Sequence, residues 1–309
     1  MKILLTGGTG MVGRNILEHE SSEKHEIVAP SSQELNLLDR KSVRTVLLRE
    51  MPDLIIHAAG RVGGIQANMA NPVAFLCDNA DMGLNIISIA ASVGVPNLLN
   101  LGSSCMYPKD AENPLKEEFI LKGELEPTNE GYALAKILSS KLCEYITRED
   151  NRKNYKTIIP CNLYGRHDKY GHNHSHLIPA VIRKLHEAKQ EGREAVDIWG
   201  DGGARREFMN AGDIADFIFF AIDRFDVMPQ NLNIGLGFDY SILEYYECVA
   251  SIVGFGGVFE HDLSKPVGMR QKLVDIKKLS DFGWQHKIKL NDGIEQAYNF
   301  FKEDQNNEI

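Results

Sequence analysis

The chain is poor in cysteine, and the cysteines it has form no framework. Five stand at positions 77, 105, 143, 161 and 248, an odd number without CxxC spacing, which excludes a disulfide scaffold and a zinc ribbon and leaves free thiols. No apolar run approaches the roughly 20 residues that a membrane span requires, so a soluble globular protein is expected. Basic surplus is missing as well: 34 lysines and arginines face 43 carboxylates, the signs are interspersed, and neither nucleic acid nor a membrane is an expected partner. An anionic ligand must then be held by local cations and helix ends. Repeats, low-complexity tracts and long linkers are absent. The N-terminus runs from Lys2 directly into an apolar strand with no cleavable leader, which makes the cytoplasm the expected compartment.

What is present begins at once. Residues 2–13 read Lys-Ile-Leu-Leu-Thr-Gly7-Gly-Thr-Gly10-Met-Val-Gly13, a buried strand that breaks into a glycine turn and opens a helix. Glycines at 7, 10 and 13 allow a tight turn and a close approach to a pyrophosphate, and the helix start points free N–H groups at it. Apolar strand-like runs recur at 27–29, 54–58, 98–101 and 157–159, separated by helical patterns at 11–19, 41–50, 72–93 and 131–149. That alternation predicts βαβ units with right-handed crossovers, hence an α/β fold with a doubly wound parallel sheet of Rossmann type. Residues 1–165 are expected to form the dinucleotide-binding domain, with the chain returning to it around 205–235. Residues 166–309 are expected to form mainly a smaller substrate-binding region, with a helix over 177–191 and short strands near 196–199 and 232–234.

Ser103 closes the fourth strand, and Tyr132 and Lys136 follow in Gly131-Tyr-Ala-Leu-Ala-Lys136. Residues four apart share one helix face. A lysine ammonium near a phenol is expected to stabilise the phenolate and bring its pKa from about 10 towards neutral, so that tyrosine serves as acid or base at a carbonyl. Ser103 would donate to the same oxygen.

With these motifs the chain resembles the extended short-chain dehydrogenase/reductases and, within them, the GDP-L-fucose synthase family. The likeness spans nearly the whole chain and rests on Glu34-Leu-Asn-Leu-Leu-Asp39, Val62-Gly-Gly-Ile65 with Ala67-Asn68, Leu101-Gly-Ser-Ser-Cys-Met-Tyr-Pro-Lys109 and Glu126-Pro-Thr-Asn-Glu130. Further carriers are Asn162-Leu-Tyr-Gly165, Ser175-His-Leu-Ile-Pro179, Arg206-Glu-Phe208 and Ser264-Lys-Pro266. The resemblance implies that NADPH reduces the C4 ketone of a GDP-linked 4-keto-6-deoxy sugar, with Tyr132 protonating the oxygen. It also implies that Cys105 and His176 exchange protons at C3 and C5, next to the ketone, where the carbon acid is activated. The implied cofactor contacts are Gly7, Gly10, Met11, Val12, Gly13, Asn36, Leu37, Leu101, Gly102, Lys136, Asn162, Leu163 and His176. Those implied for the nucleotide sugar are Ser104, Asn162, Lys184, Trp199, Arg206 and Lys272. A homodimer paired through helices of the dinucleotide domain is implied as well.

The chain departs from that pattern in places. Arginines usual in the first glycine turn and after the second strand are Thr9 and Ser32, and no carboxylate ends the second strand, so NAD(H) stays open beside NADP(H). Lys184 and Val258 stand where the family has arginines, and Arg166 where it has proline, which predicts an altered diphosphate or sugar pocket. Arg206 is the first choice for phosphate and Arg205 is assigned to the surface. His172, His174 and His176 alternate, yet no acidic fourth ligand has a recognisable spacing, so no metal is expected; the first two are assigned to solvent and His176 to the cleft. The alternative function is C4 reduction, with little or no epimerisation, of a GDP-4-keto-6-deoxy-heptose for surface polysaccharide. A non-catalytic dinucleotide-binding protein and a nucleotide-sugar 4-epimerase are the remaining readings.

Overall fold

In the computed structural model the described residues are 1–171, 175–265 and 268–307. The first half runs β1 (Lys2–Thr6), α1 (Met11–Glu18), β2 (Glu26–Val28), α2 (Arg40–Glu50), β3 (Leu54–His57), α3 (Ile65–Ala70), α4 (Pro72–Val93), β4 (Asn97–Leu101), α5 (Glu130–Glu149) and β5 (Asn154–Pro160). It continues with β6 (Asn162–Tyr164), α6 (Leu177–Gln190), β7 (Ala195–Trp199), β8 (Arg205–Arg206), β9 (Phe208–Asn210), α7 (Ala211–Ile222) and β10 (Asn231–Ile234). The chain closes with β11 (Tyr240–Ser241), α8 (Ile242–Val253), β12 (Val258–Asp262), β13 (Gln271–Lys272), α9 (Lys277–Phe282) and α10 (Leu290–Asn307).

The central sheet has the order β2-β1-β3-β4-β5-β10, and every pairing in it is parallel. Its inner strands are apolar on both faces, as a sheet covered on both sides requires. Successive side chains of β1 divide accordingly: Ile3 and Leu5 join a core with Ile16, Phe217 and Ile218, while Leu4 joins another with Val43, Ile86 and Leu98. Strand order reverses at β1, between β2 and β3, and open α/β sheets place their ligand crevice at such a switch, outside the carboxyl ends of the strands. The glycine turn after β1 and Ser103 after β4 both lie at that end.

The remaining chain builds a second core, in which α6, α8 and α10 bring together Ile182, Leu185, Tyr245, Val249 and Phe301 over β7. Small strand pairs connect it to the sheet: β6 lies parallel to β9, β7 to β12, and β8 sits between β11 and β13. Returning chain is not confined to α7 and β10, because Val274, Leu279 and Trp284 also pack into the sheet's core.

One expectation is corrected here. Helix α4 has 22 residues and a mean hydropathy of 1.3 over its most apolar stretch, long and apolar enough to cross a bilayer by composition. Its Ile86, Ile87, Ile89 and Ala90 are instead buried beside Leu98 and Tyr155 in the core, which is why its sequence is so apolar.

Candidate active site

A cleft of about 1340 Å³ runs from the glycine turn across the ends of β3 and β4 to α6 and β13. At the glycine end the backbone leaves no room for side chains. Gly7 has φ +74°, and a Cβ there would lie 2.7 Å from the Ala59 nitrogen; one on Gly13 would lie 2.2 Å from the Gly7 carbonyl oxygen. The turn is therefore drawn against α1, whose N-cap, Gly10, offers no side chain to the first amides. Open N–H groups at a helix start, beside a wall without Cβ atoms, fit a dinucleotide pyrophosphate. All of the implied cofactor contacts line this cleft: Gly7, Gly10, Met11, Val12, Gly13, Asn36, Leu37, Leu101, Gly102, Lys136, Asn162, Leu163 and His176. Thr9 and Ser32 line it too, as does Arg14, which the sequence reading passed over.

At the centre of the cleft the chain brings Ser103, Tyr132 and Lys136 together. Ser103 caps the 3-10 turn that follows β4; its Oγ accepts from the Cys105 N–H at 3.2 Å and bonds the Tyr132 hydroxyl. Lys136, one turn beyond Tyr132 on α5, has its Nζ 5.8 Å from the phenol ring centroid and donates to the Leu101 carbonyl at 2.8 Å. Burial pushes this ammonium down to about 8. It does not bring the phenol towards neutral as expected: burial, with the nearby Cys105 thiol, raises Tyr132 above its ordinary value, and the Ser103 hydrogen bond only offsets this. Desolvation of the anion outweighs an ammonium that is directed at a carbonyl. The consequence favours one direction of chemistry, because a phenol that keeps its proton is an acid for a carbonyl oxygen.

Cys105 lies in the same 3-10 turn. Its sulfur accepts hydrogen bonds from Asn129 Nδ2 at 3.3 Å and from Lys272 Nζ at 3.4 Å. His176, the N-cap of α6, is reached by solvent through the mouth of the cleft yet surrounded by protein; desolvation, then Lys169 and Lys272, hold its imidazole below the usual value. A sulfur held by donors beside Tyr132, and an imidazole lining the same cleft, are suited to proton exchange at carbons flanking a ketone.

The implied sugar-nucleotide residues divide. Arg206 lines the cleft, its Nη1 donating to the Arg205 carbonyl at 2.7 Å, and burial lowers its pKa. Trp199 stands at the mouth with the Lys265 ammonium 5.7 Å from its ring centroid. Asn162 lines the cleft and donates to the Glu207 carbonyl. Ser104, by contrast, is buried and does not line the cleft. Lys184 reaches the wall, but its ammonium is held by Asp197, 2.8 Å from a carboxylate oxygen. Lys272 turns to Cys105 rather than outward. Two of the departures from the family pattern do not touch the pocket: Arg166 pairs with Glu18 at 3.3 Å, and Val258 lies exposed on β12. Arg205 is anchored to Asp239 at 2.6 Å.

Some lining residues escaped the sequence reading. Asn129 lay inside the string Glu126-Pro-Thr-Asn-Glu130, directly ahead of the tyrosine, which was its available signal. Arg183 had none, since α6 offers two adjacent cations and only geometry decides between them; its guanidinium donates to the Tyr170 carbonyl. Asp168 is another, with one carboxylate oxygen unpartnered and burial pushing it up to about 7. Beneath the site Glu207, fully buried, accepts from the backbone N–H groups of Leu236, Gly237 and Val274 and so joins three segments. Burial pushes its carboxyl up to about 7. No cluster of three metal-ligating side chains occurs among the described residues, and His172 and His174 lie outside them.

The model of the NAD dependent epimerase/dehydratase family matches residues 3–235. The chain is 58% identical over 308 residues to a GDP-L-colitose synthase of Yersinia pseudotuberculosis, covering 100% of each chain. It is 50% identical to a GDP-L-fucose synthase of Azorhizobium caulinodans, over 97% of this chain and 96% of that one. A solved GDP-mannoheptose C4 reductase from Campylobacter jejuni with NADP bound superposes with a TM-score of 0.88 at 32% identity, covering 97% and 98% of the two chains.

Proposed function

We propose a reaction for this chain, which belongs to the NAD dependent epimerase/dehydratase family: it is an oxidoreductase that uses NADP(H) to reduce the C4 ketone of a GDP-linked 4-keto-6-deoxy sugar. The observation that carries the reading is the junction of Ser103, Tyr132 and Lys136 with Cys105 on one cleft wall. NADPH, held along the glycine turn by the Gly7, Gly10 and Gly13 backbone, would supply the hydride for the carbonyl carbon. Tyr132, its phenol kept protonated by burial, delivers a proton to the carbonyl oxygen, and Ser103 holds that oxygen and the phenol in line. Lys136 keeps a positive charge beside the phenol and would hold the cofactor ribose. Cys105 and His176 exchange protons at carbons flanking the ketone before reduction, so the enzyme also epimerises. Arg206 and Arg183 hold the diphosphate.

The sugar is a hexose in this reading. Colitose, named in a relative 58% identical, is a 3,6-dideoxy sugar, so C5 is the stereocentre beside its ketone that needs inversion. Fucose needs inversion at C3 as well. The heptose alternative draws support from the C4 reductase at 32% identity and from Lys184 being held by Asp197. A homodimer is part of the proposal: Val73 of α4 and Leu134, Leu138 and Tyr145 of α5 are exposed apolar side chains on two helices packed against each other. It works as a soluble cytoplasmic enzyme whose product enters surface polysaccharide.

The test is NADPH oxidation in D₂O with GDP-4-keto-6-deoxymannose, its 3-deoxy counterpart and a GDP-4-keto-heptose, followed by NMR of each product. Oxidation with a hexose and deuterium at C5 supports the epimerase/reductase. Oxidation with the heptose alone, and no deuterium, would replace it with the heptose reductase.

A further inference from the structure

Lys272, which sequence resemblance makes a substrate contact, turns to another side chain of the cleft. It stands on β13, paired directly with β8 so that it lies opposite Arg206, and the residue is only 9% exposed. A buried ammonium requires an anion or a full set of acceptors. The acceptor it meets is the Cys105 sulfur, 3.4 Å from Nζ. Lysine has donors and no acceptor, so the sulfur must act as the acceptor in this contact, as a thiolate does and a thiol does poorly. A second donor, Asn129 Nδ2, reaches the same sulfur at 3.3 Å from the short 3-10 turn over residues 127–129, and the Asn129 Oδ1 is buried without a partner. Two donors from distant parts of the chain, residues 129 and 272, converge on one sulfur that also lies beside Tyr132.

The groups that face Cys105 are Tyr132 and Ser103 from α5 and the end of β4, Asn129, and Lys272 from β13. Lys272 also acts on His176, where its charge adds to Lys169 in disfavouring the imidazolium.

We infer that Lys272, with Asn129, is a positioning residue for Cys105: the two donors aim its sulfur at a carbon next to the C4 ketone and favour the thiolate that takes a proton there. This rests on the proposed epimerase role of Cys105. In the step so positioned, the thiolate takes a proton from that carbon and becomes a thiol, and the electron pair of the broken C–H bond moves into the enolate, leaving the negative charge on the ketone oxygen. Lys272 keeps its protons throughout, and His176, having taken a proton from solvent at the open end of the cleft, returns it to the other face of the enolate. The ammonium lowers the cost of the charged sulfur before the transfer and fixes its direction during it. Resemblance alone makes this lysine a contact of the nucleotide sugar, and the two roles predict different kinetics.

The experiment compares wild type, Lys272→Met, Lys272→Gln, Lys272→Arg and Cys105→Ser by two readouts. The first is the rate of iodoacetamide alkylation of the Cys105 peptide at pH 7, followed by mass spectrometry, which needs no substrate. The second is deuterium entry from D₂O into GDP-4-keto-6-deoxymannose or its 3-deoxy counterpart, as kcat and KM. A charge-assisted hydrogen bond of ordinary strength predicts alkylation and exchange kcat lower by about 10- to 100-fold in Lys272→Met and Lys272→Gln, KM nearly unchanged, and substantial rescue in Lys272→Arg. Wild-type alkylation with a raised KM in both neutral variants would overturn the inference and return Lys272 to a contact of the nucleotide sugar. Exchange that survives in Cys105→Ser would overturn instead the epimerase role on which the inference rests, whatever the alkylation rates.

Discussion

At the residue scale the site depends on protonation states set by burial. Tyr132 is an acid because the cleft disfavours its anion. Tyr132→Phe is expected to lower kcat for ketone reduction by about 10²- to 10⁴-fold, the usual worth of a general acid, while cofactor affinity measured by fluorescence titration stays within about twofold. Lys136 sets the alkaline limit. Its ammonium, pushed down to about 8, loses its proton as pH rises through that value, so kcat/KM is expected to fall along an alkaline limb with a midpoint near 8. Lys136→Met, measured over the same range, should be slow throughout and lack that limb. Much at this scale was legible in the sequence: the order of glycine turn, Ser103, then Tyr132 four residues ahead of Lys136 announces both cofactor and chemistry. Charge balance was not legible, because the fate of an ammonium depends on which carbonyl, carboxylate or sulfur it meets. Lys136 meets Leu101, Lys184 meets Asp197 and Lys272 meets Cys105.

At the scale of elements, the turn between β1 and α1 and the Glu207 junction each control a segment of the site. Gly13→Ala places a methyl 2.2 Å from the Gly7 carbonyl oxygen, a backbone clash that no rotamer relieves. Expected results are a loss of stability of about 1–3 kcal/mol in urea melts and a larger loss in cofactor affinity, because the shift moves the amides that face the pyrophosphate. Glu207 ties the segments bearing Arg206 and Lys272 to the loop after β10. Its folded pKa lies above the ordinary carboxylate value, at about 7, so the native state holds the proton more tightly than the unfolded chain. Its contribution is full below about pH 4.5 and is withdrawn as pH rises to about 7, by about 3 kcal/mol. Urea melts from pH 4.5 to 7.5 should show that slope in wild type and a shallower one in Glu207→Gln, which is less stable at low pH because its amide nitrogen cannot accept from a backbone N–H. Long elements were readable from periodicity, among them α1, α4, α5 and β5. The two- and three-residue strands β6, β8, β9, β11 and β13, and the six-residue α3, were not. A strand that short carries no alternation, and its existence depends on partners far away in the chain.

At the scale of the whole molecule, the sheet supplies one cleft edge and the second core the other, and chain segments cross between them at β9, α7, β10 and residues 274–284. The doubly wound class was legible from the alternation of apolar runs. The small strand pairs that close the cleft over Arg206 were not. Apolar side chains left on α4 and α5 predict a dimer, which sedimentation checks: the wild type should sediment as a dimer, and Leu134→Glu with Leu138→Glu should sediment as a folded monomer.

The central claim is net reduction at C4, and isotope transfer tests it most directly. Incubated with the GDP-4-keto-6-deoxy hexose and NADPH deuterated at the nicotinamide C4 position that is transferred, in ordinary water, the enzyme is expected to yield a product with one deuterium, at sugar C4, and one equivalent of NADP. The ketone recovered unreduced with the NADPH unspent, while a GDP-6-deoxy hexose bearing a C4 hydroxyl is inverted at C4 with no net change of cofactor, would contradict the account and make this protein an epimerase that returns its own hydride.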